Sequence, residues 1–263
     1  MQVFVRPPLR ARVMAWLPFV ATAALASFAI HLALRMPLLA LLFAGCAVLV
    51  AVPQLAARKR ARRLLVSGNV EAVLSAWNGA LDRLPHRETM APLIAATALA
   101  ANGMTERARA ALGRAAKGAA WEAAIEHRLF VETLLDAFEG ERESALTKAQ
   151  QLVSLPVPAA GPFLESRIVT LRGAIGALAR AFAHSTHPGD VRVLRAAARR
   201  NPLVHWPMRY AAAVACIDRQ DLRKARELLT GAPAWPEDSA FQAFHSELLA
   251  ELEAAGAPPG AAF

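Results

Sequence analysis

Acidic residues are missing from the first quarter of the chain. Residues 1–63 hold Arg6, Arg10, Arg12, Arg35, Arg58, Lys59, Arg60, Arg62 and Arg63, and no Asp or Glu. The whole chain carries 30 basic and 21 acidic residues, so residues 64–263 hold 21 of each and are formally neutral. A nucleic-acid module spreads its basic residues over a folded surface. Here the excess is confined to one end, so no nucleic acid is expected as a partner. Cysteine is scarce too: Cys46 and Cys216 are the only two, too few for a disulfide framework. Neither has a neighbouring His or a basic pocket that would make a thiolate. Alternation of β-branched and aromatic residues at period two is hardly visible, which argues against a sheet.

What the basic residues surround is apolar. Val13–Leu34 and Met36–Ala57 are two runs of 22 residues without a formal charge. Each is long enough to cross a hydrocarbon core of ~30 Å as a helix. Only Arg35 separates them, so the spacing predicts an antiparallel transmembrane hairpin, with helices at about 13–34 and 36–57. Basic flanks collect on the cytoplasmic side. Arg10 and Arg12 before the first run, and Arg58, Lys59, Arg60, Arg62 and Arg63 after the second, therefore predict cytoplasmic termini and an external turn. Membrane lipid is the implied partner of these residues. His31 falls one turn before Arg35, at the expected outer interface. Abundant Ala, with Arg far outnumbering Lys, suggests a GC-rich bacterial genome. The expected location is the bacterial inner membrane, with two spans.

The rest of the chain reads as helices. Leu164, Ile168, Leu171, Ile175, Leu178 and Phe182 recur at steps of three and four, as do Phe241, Phe244, Leu248 and Leu252. Turn signals at Asn102-Gly103, Glu139-Gly140, Pro188-Gly189 and Gln220-Asp221 separate them. The pattern predicts helices near 70–83, 88–101, 105–117, 120–138, 141–153, 163–183, 190–200, 207–218, 221–230 and 237–254. The domains expected are a membrane anchor over 1–66 (basic flank 58–63), a cytoplasmic helical domain over 67–255 and a flexible tail over 256–263.

Short turns between successive helices make antiparallel pairs. "LIAATALAANGMTERARAALGRA", Leu93 to Ala115, places Ala96 where two helices meet, Asn102-Gly103 at the turn, and Ala108, Leu112 and Ala115 on the packing face. "MRYAAAVACIDRQDLRKARELLTGA" repeats this with Ala213, Ala225 and Leu229, and a weaker copy surrounds Gly140 and Ala145. These segments resemble the tetratricopeptide repeat family. The resemblance implies an all-α fold in which a two-helix transmembrane hairpin precedes a domain of stacked αα-hairpins, a degenerate α-solenoid. It also implies a concave protein-binding groove, with Leu93, Thr97, Tyr210 and Val214 at its lining positions. The Lys and Asn with which some members clamp a partner's C-terminal carboxylate are absent from those four positions.

No catalytic constellation, cofactor motif or metal motif stands out. "HSTHPGD", His184 to Asp190, has two His three apart beside an Asp, but it reads better as a polar turn that caps the next helix. Arg192, Arg195 and Arg199 line one helix face and could meet an acidic partner or lipid headgroups. The reading that results is a non-enzymatic, membrane-anchored helical-repeat scaffold that recruits a protein partner to the cytoplasmic face. The alternative is an accessory subunit of a membrane enzyme or transporter that uses the hairpin.

Overall fold

The computed structural model describes residues 20–28, 30–31, 37–158 and 161–256, and no strand occurs among them. After a helical stretch at 20–28, the elements are α1 (Pro37–Val66), α2 (Val70–Leu81), α3 (Arg87–Ala101), α4 (Thr105–Arg114), α5 (Ala119–Ala123), α6 (Ile125–Phe138), α7 (Arg142–Ser154), α8 (Pro162–Phe182), α9 (Asp190–Arg200), a short 3₁₀ turn (Pro202–Val204), α10 (His205–Ile217), α11 (Leu222–Leu229) and α12 (Ala240–Gly256). This agrees with the all-α part of the expectation. The chain divides into two compact units, one made of Met1–Arg62 with Val157–Ile168, the other of Arg63–Pro156 with Val169–Phe263.

The transmembrane hairpin has to be withdrawn. Half of its first span lies outside the described residues, as do Arg10 and Arg12. Its second span falls in α1, which runs without a break into the exposed basic stretch Arg58–Arg63. Among the described residues no helix is long and apolar enough to cross a membrane. The bacterial inner-membrane location, the cytoplasmic termini, the interfacial place of His31 and the membrane-flanking role of Arg58, Lys59, Arg60, Arg62 and Arg63 all rested on those spans and fall with them. Along α1, Leu41, Leu42, Leu49 and Leu55 are exposed.

In the larger unit, α3 packs on α4, α6 on α7, α9 on α10 and α10 on α11. Three of these connections share one turn geometry. Gly103, Gly140 and Gln220 have φ of +76°, +83° and +61°. Each is followed by a residue near φ −80°, ψ +65°: Met104 (−82°, 66°), Glu141 (−76°, 67°) and Asp221 (−90°, 64°). The amide of that residue donates back five positions: Met104 to Leu99 (3.0 Å), Glu141 to Asp136 (2.8 Å) and Asp221 to Cys216 (2.9 Å). This is the Schellman closure, which satisfies the last free carbonyls of the first helix and aims the chain back along it. Around each turn the equivalent interhelical positions are small and buried: Ala96, Thr133 and Ala213 before it, Ala108, Ala145 and Ala225 after it. The predicted helix at 120–138 is split at Ala124, whose φ of −84° and ψ of 19° end α5 and start α6. Trp121 of α5 is buried beneath Lys117 and Arg128, which sit over its ring.

Buried charge stitches the helices together. Asp136 of α6 accepts hydrogen bonds from Arg109 of α4 (3.0 Å) and Ser144 of α7 (2.6 Å) and pairs with Lys148 (2.7 Å). Burial would raise the Asp136 carboxyl, but the bonds from Lys148, Ser144 and Arg109 outweigh it and hold it below its usual value. Arg172 of α8 is buried. It binds Glu126 (3.0 Å) and donates to the carbonyls of Leu155 (2.6 Å) and Pro156 (3.3 Å), tying α8 to α6 and to the end of α7.

Candidate functional site

The chain's own C-terminal segment packs back across the paired helices. After α11 the chain crosses the end of α1. There Gly68 makes room for it: a Cβ would lie 2.7 Å from Pro233 Cγ and 3.0 Å from the Trp235 ring. Trp206 donates to the Val66 carbonyl at 2.8 Å and meets Trp235 edge-on at 5.9 Å. The segment then docks on the turn after α3, where Ser239 Oγ donates to the Asn102 carbonyl (2.7 Å) and the Ala240 amide to the Gly103 carbonyl (2.8 Å). From there α12 lays its apolar stripe across the ends of α6, α8 and α10. Phe241 meets Phe138 and Tyr210, each at 4.9 Å between centroids. Phe244 meets Phe182 at 5.3 Å and Tyr210 at 5.6 Å. Leu248 and Leu252 are buried further along.

Tyr210 is the hub. Its ring is fully buried, and its hydroxyl accepts from Trp235 Nε1 (2.7 Å) and faces His245 Nδ1 at 3.2 Å, to which it can donate. Burial pushes the phenol up to about 12, against the smaller opposing effect of the Trp235 bond. Burial also lowers the His245 imidazole below its usual value. The hydroxyl therefore stays protonated, and a neutral His245 can serve as its acceptor.

The four positions expected to line an open groove are not open surface. Leu93, Thr97, Tyr210 and Val214 are all buried, and the Thr97 hydroxyl donates to the Leu93 carbonyl at 2.8 Å. Val214 reaches a cavity. This one measures about 260 Å³, and its lining includes Phe182, His184, Asp218, Phe244 and Glu247.

The His184–Asp190 turn resolves into two separate pairs. Asp190 is gripped by Arg180 through both carboxylate oxygens (3.0 and 2.7 Å) and accepts from the His187 amide (2.8 Å). Burial would raise its carboxyl, but Arg180 and the His187 amide hold it below its usual value. His184 instead points to Asp218, with Nδ1 2.8 Å from the carboxylate. No group of three or more His, Cys, Asp or Glu that could hold a metal occurs among the described residues. Cys216 is buried, and burial raises its thiol above the usual range. Cys46 is exposed.

The arginine face is drawn together in part. Arg195 and Arg199 of α9 line a cavity of about 180 Å³ with His205 and Arg209 of α10 and Glu227 of α11. Arg192 is exposed outside that lining. Sequence reasoning missed Arg209, whose charged neighbours on the cavity wall, Arg195, Arg199 and Glu227, come from other helices. It also saw the Phe241–Leu252 stripe as core without seeing its target, since periodicity marks a buried face and not what covers it. Compared with protein-family models, curated proteins and solved structures, the chain matches none.

Proposed function

We propose that the chain is a non-catalytic helical-repeat interaction module that holds a protein partner, with α12 as the internal occupant of its groove. The observation that carries this reading is the docking of α12. An amphipathic helix lies in an aromatic groove by its Phe241, Phe244, Leu248 and Leu252 anchors, the manner in which helical partners are bound in grooves. The recurring turns supply the stacked pairs that such a groove needs. The alternative of an accessory subunit acting through a transmembrane hairpin loses its basis with the spans.

The test is crosslinking capture from the native source with the full-length chain and a Phe244→Ala variant that loosens α12 while leaving Phe241 in place. A partner whose yield changes between the two supports the groove. Capture of no protein by either, or turnover of a small-molecule substrate by the purified chain, refutes it. Glu substitutions at Thr97 or Tyr210 would not serve, because both side chains are buried and a carboxylate there would unfold the domain.

A further inference from the structure

We propose that the notch between α9, α10 and α11 binds a phosphate group, in the cavity of about 180 Å³ walled by the guanidiniums of Arg195, Arg199 and Arg209. This proposal does not depend on the groove reading.

Arg209 is held rigidly. Its Nε donates to the Leu228 carbonyl (2.6 Å), and its Nη2 to those of Glu227 and Thr230 (2.9 Å each). Its guanidinium also sits 4.9 Å from the centre of the Trp206 ring. These contacts cap the end of α11, so the helix dipole accounts for Arg209. It does not account for Arg195, which stands in the middle of α9. The carboxylate in the lining is Glu227, which is exposed and lies 4.0 Å from Arg195 Nη2, at the outer limit of an ion pair. Among the described residues Arg199 reaches a carbonyl of its own helix, that of Arg195 at 3.4 Å.

Three guanidiniums against one carboxylate leave a formal excess of two positive charges in a unit whose charges otherwise nearly balance. A phosphate monoester, doubly charged and rich in acceptor oxygens, matches that excess and the forked geometry of arginine. Burial lowers the Arg209 pKa, the nearby Tyr210 and Glu227 oppose that shift, and the Arg195 charge adds to it.

The experiment titrates the full chain calorimetrically with inorganic phosphate, with chloride at matched ionic strength, and with a phosphoserine peptide beside its unphosphorylated form. Saturable binding of phosphate or phosphopeptide, absent with chloride and the plain peptide, is expected. Arg195→Gln and Arg199→Gln should each weaken it about tenfold, and Glu227→Gln should strengthen it. Both arginines stand at the surface, so unchanged melting will show that the variants fold. Equal affinity for free and peptide-borne phosphate would assign the notch to a free phosphate ester. Tighter binding of the phosphopeptide would assign it to a phosphorylated partner segment. The proposal is overturned if neither binds above the chloride control, or if binding survives both arginine substitutions unchanged.

Discussion

Gly103 and Gly140 stand at equivalent points of two turns with nearly the same backbone, φ +76° and +83°, yet in different surroundings. Within 4 Å, an added Cβ at Gly140 would meet nothing. At Gly103 it would fall 2.7 Å from Ser239 Oγ, 2.9 Å from Phe241 Cγ and 3.0 Å from the Phe241 amide nitrogen. Gly140→Ala therefore bears only the left-handed strain, about 1–2 kcal/mol. Gly103→Ala bears that strain plus the overpacking of a backbone atom and a buried ring that cannot swing away, another ~1–3 kcal/mol. The difference between the two isolates the docking of α12 on the end of α3. Urea denaturation of both variants, followed by helical circular dichroism, measures it. Gly103→Ala should have the lower midpoint by clearly more than the scatter of extrapolation. A Gly140→Ala protein as unstable as Gly103→Ala would refute the argument, because α12 would then contribute nothing that the turn itself does not.

Three further outcomes follow from the same packing. Phe241→Ala should cost about 3–5 kcal/mol by urea titration, since its ring is fully buried among Phe138, Tyr210 and Trp235. Asp136→Ala should cost about 1–3 kcal/mol by removing the charge-assisted bonds from Lys148 and Arg109 and the acceptor of Ser144, whereas Glu139→Ala, an exposed partner of the same Arg109, should cost under about 1 kcal/mol. The His245 imidazole has its pKa lowered by folding, so the unfolded chain takes up the proton first. Its contribution is complete above about 6.5 and is lost as pH falls from there through the folded value. Asp136 and Asp190, whose carboxyls are also lowered, add a second loss as pH falls below 3.8. Melting temperatures across this range should show both steps, and His245→Gln should remove the first while leaving the second.

Much of the local architecture was legible. Schellman turns announce themselves by Gly or a tolerant polar residue at a fixed offset from buried alanines, so Asn102-Gly103, Glu139-Gly140 and Gln220-Asp221 were placed correctly, together with Ala96, Ala108, Ala213 and Ala225. The break at Ala124 was not, because alanine is the best helix former and nothing nearby marks a stop. There the burial of Trp121 overrides propensity. The long apolar runs near the N-terminus read as membrane spans because uncharged length and basic flanks were the signals weighed. In the structure α1 continues without a break into its basic end, and among the described residues no helix is long and apolar enough to cross a membrane. Of the expected site residues, Arg195 and Arg199 reach a common cavity, while Leu93, Thr97, Tyr210 and Val214 are buried.

The sequence by itself determined that the described chain is helical, where most of its helices turn, and which small residues sit between paired helices. These follow from neighbours within about two turns, where period and cap chemistry act directly. Only the tertiary structure decided that the stripe of α12 lies against Phe138, Phe182 and Tyr210, that Arg209 joins Arg195 and Arg199 around one notch, and that Asp190 is given to Arg180 and not to a ligand. The physical reason is that hydrophobic burial is non-directional: a stripe specifies that it must be covered, and which of several apolar faces covers it depends on how all the helices pack at once.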